Sequence, residues 1–347
     1  MSQWLLLQQD KRLERLNKIG AKLDSLKKSI PWDELFRADL NALWDKDNKQ
    51  PQGRKPYDSV MMFKVLILQS MYNLSDENME YMIADRLSFQ EFLDIAPDQN
   101  VPDARTIWLF RERLKENALY EKLFDRFSQY LNEHGYEAQG GQIVDATFAE
   151  VPRQHNTPEE NKTIKEEHKA PADWTEKKKR HKDLDARWTR KNHKSHYGYK
   201  NHVNVDNKHK LIRKFSVTPS NVHDSQEFME VVEPNVPIPD NAVYADSAYY
   251  SQEREERLTE MGLDPNLCHK GCRHKKLTES EREANRQISK IRCRVEHVFG
   301  QIHQRCHGNR LVRTIGLVRA TIKISLTNLA YNINRFCRLT TGQICFE

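Results

Sequence analysis

Three acidic residues stand where acids are costly. Asp145 interrupts the apolar alternation of Gln142 to Val151, Asp246 ends the run Ala242, Val243, Tyr244, Ala245, and Glu296 is the lone acid between Arg286 and Lys323. A carboxylate in or at the end of a sheet strand loses hydration, and a divalent cation is a strong compensator. Carboxylates combined with water and phosphate oxygens suit Mg2+, and a pair of such ions stabilises the attacking and leaving oxygens of an in-line phosphoryl displacement. Ser289, Arg292, Glu296, Gly300 and His303 are spaced to share one helix face. Arg292 then reaches a phosphate beside a metal held by Glu296. That is a layout for cutting or joining a phosphodiester backbone.

The elements that must position these residues fall into two textures. The chain has 347 residues, 37% hydrophobic and 31% charged, enough for a sizeable core and about two domains. Residues 1–135 read as helical. Leu13, Leu16, Ile19, Leu23 and Leu26 put an apolar stripe on a helix from Met1 to Lys28. A loop at Pro51 to Pro56 precedes a buried helix from Tyr57 to about Tyr72. Ser75 caps a helix to Arg86, Ser88 with Glu91 forms a capping box for a short one, and Asp103 caps another to about Glu116. Short helices ending in an arginine-bearing one are compatible with a helix-turn-helix, and equally with an ordinary helical domain.

From Gly140 the pattern is α/β. Strands are expected at Gln142 to Val151, Tyr199 to Val205, Leu211 to Thr218 and Ala242 to Asp246. Between Arg153 and Arg187 the few apolar residues suggest a mobile charged loop without a core. Helices return from Glu279, with one apolar stripe through Ile288, Ile291, Val295, Val298 and Ile302 and another from Leu317 to Phe336. The expected domains are 1–135, helical, and 136–347, α/β.

Charge is concentrated. Thr175 to Phe215 carries fourteen Lys and Arg against four acids, and Arg286 to Lys323 carries nine against Glu296, in a chain whose net charge is +6. Two such stretches favour a polyanion, nucleic acid first, because each phosphate contact releases counterions. Charge alone does not separate this from solvated basic faces. No run approaches the ~18 apolar residues of a membrane span, since even Val60 to Leu68 contains Lys64. Met1 to Leu7 is ended by Gln8 to Arg12 too early for a signal peptide. A cytoplasmic protein is expected. All six cysteines lie in the last quarter and read as reduced thiols. Cys268 and Cys272, beside His269 and His274, hint at zinc, but no second Cys pair completes four ligands.

IVDAT (143–147), HYGYKNHV (196–203), NVHDS (221–225), YADSAY (244–249) and IRCRVEHVFG (291–300) follow in this order, with 100 residues between the aspartates and 49 before the glutamate. Over essentially its whole length the chain resembles the DDE transposases of bacterial insertion sequences, family five most closely. The resemblance implies a ribonuclease-H-like catalytic domain, a mixed sheet flanked by helices, with Asp145 on its first strand, Asp246 on its fourth and Glu296 on a packed helix. It implies two Mg2+ or Mn2+ ions, Asp145 bridging them, Asp246 holding metal and Glu296 completing the second site. Hydrolysis then frees the 3′-hydroxyl ends of the element, which attack target DNA. In related families the glutamate lies in a Tyr-x2-Arg-x3-Glu-x6-Lys signature. Here Arg292 and Glu296 match, Ser289 replaces the tyrosine and His303 the lysine, and Arg294 or Arg305 can substitute as phosphate contacts.

The DNA-facing set is therefore Arg292, Arg294, His303, Arg305, Lys191, Lys194, Lys200 and Trp188, with Arg105 and Arg111 on the helix taken to recognise terminal inverted repeats. Asp224 is a rival third carboxylate whose ordinary role is turn capping, and His202 and His223 read as structural. The implied partners are double-stranded transposon-end and target DNA and a second copy in a homodimer on DNA, in the bacterial cytoplasm at the nucleoid. Two alternatives remain open: a ribonuclease-H-like nuclease without strand transfer, and a transposase-derived DNA-binding regulator.

Overall fold

The computed structural model describes residues 11, 14, 15, 22–43, 56–96, 98–191, 193–234, 236–271, 276–305 and 312–342, the side chains of 22, 304 and 305 excepted. Most of the expected N-terminal helix, the 51–55 part of the expected loop, Cys272, His274 and the side chain of Arg305 lie outside the described residues. The chain forms two compact units, 1–135 with 326–347, and 136–325.

The first unit is helical: α1 (Lys22–Ser29), α2 (Trp32–Asn41), α3 (Ser59–Tyr72), α4 (Asp76–Asp85), α5 (Leu87–Leu93), α6 (Ala104–Glu116) and α7 (Leu119–Glu133). Helix α3 is apolar on nearly every face and is buried from Met62 to Met71, as expected of a central helix. Its one cation, Lys64, is compensated by Asp94 at 2.9 Å and lies over the rings of Trp32 and Phe92. Trp32, Phe36, Phe63 and Phe92 form the aromatic centre of this core. Asp58, Ser75 and Asp103 cap α3, α4 and α6 through backbone N–H groups. The capping box expected at Ser88 is not made: α5 starts at Leu87, which puts Ser88 inside the helix, and Arg86 occupies the cap position.

In the second unit a six-stranded sheet comprises β1 (Gln142–Glu150), β2 (Arg187–Lys191), β3 (Lys194–Asp206), β4 (Ile212–Pro219), β5 (Ala242–Ala245) and β6 (Asp264–Leu267). β3 runs antiparallel to β1, and its other edge carries β2 and then β4; β1, β5 and β6 are parallel. This is the ribonuclease-H-like arrangement. β2 adds a strand before the long central one, so Asp246 follows the fifth strand in chain order rather than ending the fourth. β2 and β6 escape a sequence reading because RWTRK and DPNL lack apolar alternation.

The segment expected to be a mobile loop has structure. It holds α8 (Pro158–Glu167), begun by a Thr157/Glu160 capping box, and α9 (Glu176–Arg180). Trp174 is buried, donates its indole N–H to Glu160 at 2.6 Å, and lies under Lys178. Lys178, the Thr157 N–H and Trp174 hold the Glu160 carboxyl down to about 2. The small core is thus one indole, Ile164 and the stems of charged side chains. Asp183 ties the segment to the sheet: its carboxylate accepts the Tyr199 hydroxyl at 2.7 Å and the N–H groups of Asp185, Ala186 and Gly316.

The remaining helices are α10 (Phe228–Val231), α11 (Gln252–Glu260), α12 (Glu279–Arg292), α13 (Arg294–Arg305) and α14 (Leu317–Thr341). The expected continuous helix breaks at Cys293. Residues 326 onward of α14 group with the helical unit, where Phe336 meets Phe127 and Tyr130 edge-on, and not with the α/β part as their sequence position suggests. Among the described residues no helix is long and apolar enough to cross a membrane.

Candidate active site

Asp145 lies mid-way along β1, paired in register with Val203 of β3. Apolar neighbours Ile143 and Val144 bury the strand and carry the carboxylate down with it, to 8% exposure. Burial pushes its pKa up to about 6, and nearby Asp246 adds to this, while the Ala146 N–H and Arg292 oppose it. One carboxylate oxygen accepts the Ala146 N–H at 2.8 Å and the other accepts Arg292 Nη1 at 2.8 Å. Asp246 sits just past β5, at the carboxyl end of a strand parallel to β1, where its side chain accepts the Ala248 N–H at 2.7 Å. Glu296 is exposed in the first turn of α13.

The three carboxylates line one open cleft of about 670 Å³, together with Arg292, Lys191, Lys194, His196, His303 and the apolar floor of Phe148 and Phe299. The helix-face expectation holds from Arg292 through Glu296 and Gly300 to His303, all of which border the cleft despite the break at Cys293. Ser289 turns away, its hydroxyl 4.0 Å from the buried thiol of Cys268.

Other expected contacts are placed differently. Lys200 is buried, its ammonium donating to Asp224 and to the Val222 carbonyl, both at 2.7 Å, so it does not face a ligand outside. The same pair explains Asp224, which neutralises Lys200 and does not border the cleft; the cap of the turn at Asp224–Gln226 is His223. Arg111 is held by both oxygens of Asp76 and by Gln69, which fixes α6 against α3 and α4 rather than presenting a guanidinium outward. Arg105 is exposed in the first turn of α6. Arg294 is exposed and donates to Asn207 at 2.6 Å. Trp188 is 45% exposed, with Tyr197 beside it and the Arg153 guanidinium over its ring. His202 is buried against Thr218 and driven down to about 4 by burial, a structural residue.

Two features near the carboxylates have no periodic signal in the sequence. Tyr249 is buried with its hydroxyl unpartnered among the described residues, and burial together with the carboxylates of Asp145, Asp224 and Asp246 raises its pKa. His196 donates toward Glu150, which precedes it by 46 residues and meets it only through the β1–β3 pairing.

The donor set fits a hard divalent cation: three carboxylates with no thiolate on the cleft wall. Among the described residues no three His, Cys, Asp or Glu side chains are already gathered as a metal cage. Arg292 takes that place at Asp145, meeting a buried carboxylate with a protein cation.

The family model described as "Transposase DDE domain" matches residues 137–333, more than half of the chain, and includes all three carboxylates. The model described as "Transposase domain (DUF772)" matches residues 10–113, most of the helical unit. No solved structure matches the chain.

Proposed function

The chain belongs to the DDE transposases of insertion-sequence type, and on that premise we propose that it binds the terminal inverted repeats of its element, cuts at their ends and joins the freed 3′-hydroxyls to target DNA. The observation that carries this reading is the shared cleft, where Asp145, Asp246 and Glu296 meet Arg292, Lys191 and Lys194. Carboxylates for metal and cations for phosphate line one cleft, as in-line phosphoryl transfer requires.

Asp145, Asp246 and Glu296 would hold the divalent metal, Mg2+ or Mn2+, which when bound supplies charge stabilisation for the attacking and leaving oxygens. Arg292 then exchanges its carboxylate partner for a phosphate. Lys191 and Lys194, on the hairpin of β2 and β3, and His303 grip the backbone of the DNA beside the cut, with Arg294 and Trp188 further along the strand. Arg105, on the exposed first turn of α6, contacts the inverted repeat. Two ends must be processed together, so two copies act on paired ends.

The test is an assay of end DNA with Mg2+ and a target plasmid. Cleavage at the element boundary and joined products are expected; Asp145→Asn, Asp246→Asn and Glu296→Gln should lose cleavage and keep end binding. Pre-cut ends that are never joined would leave a nuclease, and binding without Mg2+-dependent nicking would leave a regulator.

A further inference from the structure

Both proposed chemical steps break the same kind of bond. In hydrolysis a water oxygen bonds to phosphorus and the P–O3′ bond breaks; in joining, a 3′-hydroxyl oxygen bonds to a target phosphorus and again a P–O3′ bond breaks. An alkoxide is a poor leaving group, so one proton donor on the departing side serves both steps.

His196 has the geometry of such a donor. It lies on β3 and borders the cleft that holds the three carboxylates. Its Nδ1 is 2.7 Å from Glu150 Oε1. Its ring lies flat on Phe148, centroids 4.1 Å apart and planes 6° apart. Two strands hold this arrangement: Gly198, at φ +142°, lets β3 pass so close to β1 that a Cβ there would be 2.5 Å from the Ala149 carbonyl oxygen. A carboxylate at Nδ1 fixes the N–H on that nitrogen and leaves Nε2 as the one that gains and loses a proton. Nε2 takes no partner among the described residues.

We propose that His196, oriented by Glu150, is the proton donor to the departing 3′-oxygen. The inference rests on the transposase reading. The imidazolium gives its Nε2 proton to O3′ as the P–O3′ bond breaks, producing a 3′-hydroxyl. The attacking water or hydroxyl releases its own proton to solvent, and the imidazole is reprotonated from solvent. No electrons change hands. His303 is the other titratable ring of the cleft.

The test uses the full chain with Mn2+ and end DNA whose scissile 3′-oxygen is either normal or replaced by sulfur, an atom that departs without a proton. His196→Ala and the more conservative His196→Gln should cut the oxygen substrate roughly a hundredfold more slowly than wild type, and the sulfur substrate within about threefold. Equal losses on both substrates, or none on the oxygen substrate, overturn the proposal. Wild type that cuts neither substrate overturns the transposase reading itself, which separates the two failures. Glu150→Ala frees the ring that the carboxylate orients, so it should slow cutting of the oxygen substrate more than that of the sulfur substrate; equal losses on both remove Glu150 from the assignment.

Discussion

Asp183 and Asp145 are both buried aspartates of the sheet unit, 3% and 8% exposed, and their surroundings are opposite in kind. Asp183 is enclosed by donors: the Tyr199 hydroxyl and three backbone N–H groups satisfy its carboxylate from a strand, a turn and the start of α14. Asp145 accepts one N–H and one guanidinium and opens on a cleft shared with two other carboxylates. Fixed neutral and weakly polar donors make a joint that holds the insertion to the sheet. A single side-chain cation and an open cleft leave a carboxylate that can change partners. Burial alone does not distinguish structure from chemistry; the nature of the compensating groups does.

That contrast is sharpest under substitution to the isosteric amide. Asp145→Asn should reduce Mg2+-dependent cleavage by at least about a thousandfold, measured on end DNA at saturating protein, while leaving the unfolding midpoint equal to or above that of wild type. Asp183→Asn should do the reverse, costing about 3 kcal/mol in denaturant unfolding because a charged acceptor of several hydrogen bonds is lost, with cleavage retained well below the midpoint. If Asp183→Asn abolished cleavage in folded protein, the two sites would not differ as described.

The pH dependence of stability separates them further. The folded-state pKa of Asp145 is raised from 3.8 to about 6, so the native state binds the proton more tightly than the unfolded chain. Stability of metal-free protein should fall as pH rises from about 4 to about 6, by on the order of 2–3 kcal/mol, and level off above. Asp145→Asn should flatten that segment of the curve, and a divalent cation should restore stability at pH 7. An unchanged slope in Asp145→Asn would assign the titration elsewhere.

The smallest effect concerns the cation itself. Arg292→Ala should leave protein folded, weaken end-DNA binding and reduce the salt slope of binding by about 1. An unaltered slope would keep Arg292 on Asp145 and off the phosphate.

How much of this was legible in the sequence follows the same physics. Asp145, Asp246 and Glu296 stand out because each breaks a local pattern, an apolar strand or a basic helix, and a broken pattern needs no knowledge of what lies across the sheet. The helical texture of the first unit and the strands β1, β3, β4 and β5 carry ordinary periodicities. What was hidden depends on pairing at long range. Lys200 and Arg111 look like free cations until Asp224 and Asp76 arrive from other elements. His196 is one of many histidines until β1 sets Glu150 beside it. The 153–187 insertion looks coreless because its core is an indole capped by a glutamate and lysine stems, none of which counts as an apolar run. The break at Cys293 has no Gly or Pro to announce it.

The most direct test of the central claim, that the three carboxylates act as one metal-holding set, is iron-mediated self-cleavage of the chain. Fe2+ in place of Mg2+, with ascorbate and peroxide, cuts backbone near its ligands, and mass spectrometry locates the cuts. The account predicts cuts clustered around 145, 246 and 296, suppressed together by excess Mg2+ and lost together in Asp145→Asn. Cuts at only one of these segments, or at positions remote from all three, would contradict it.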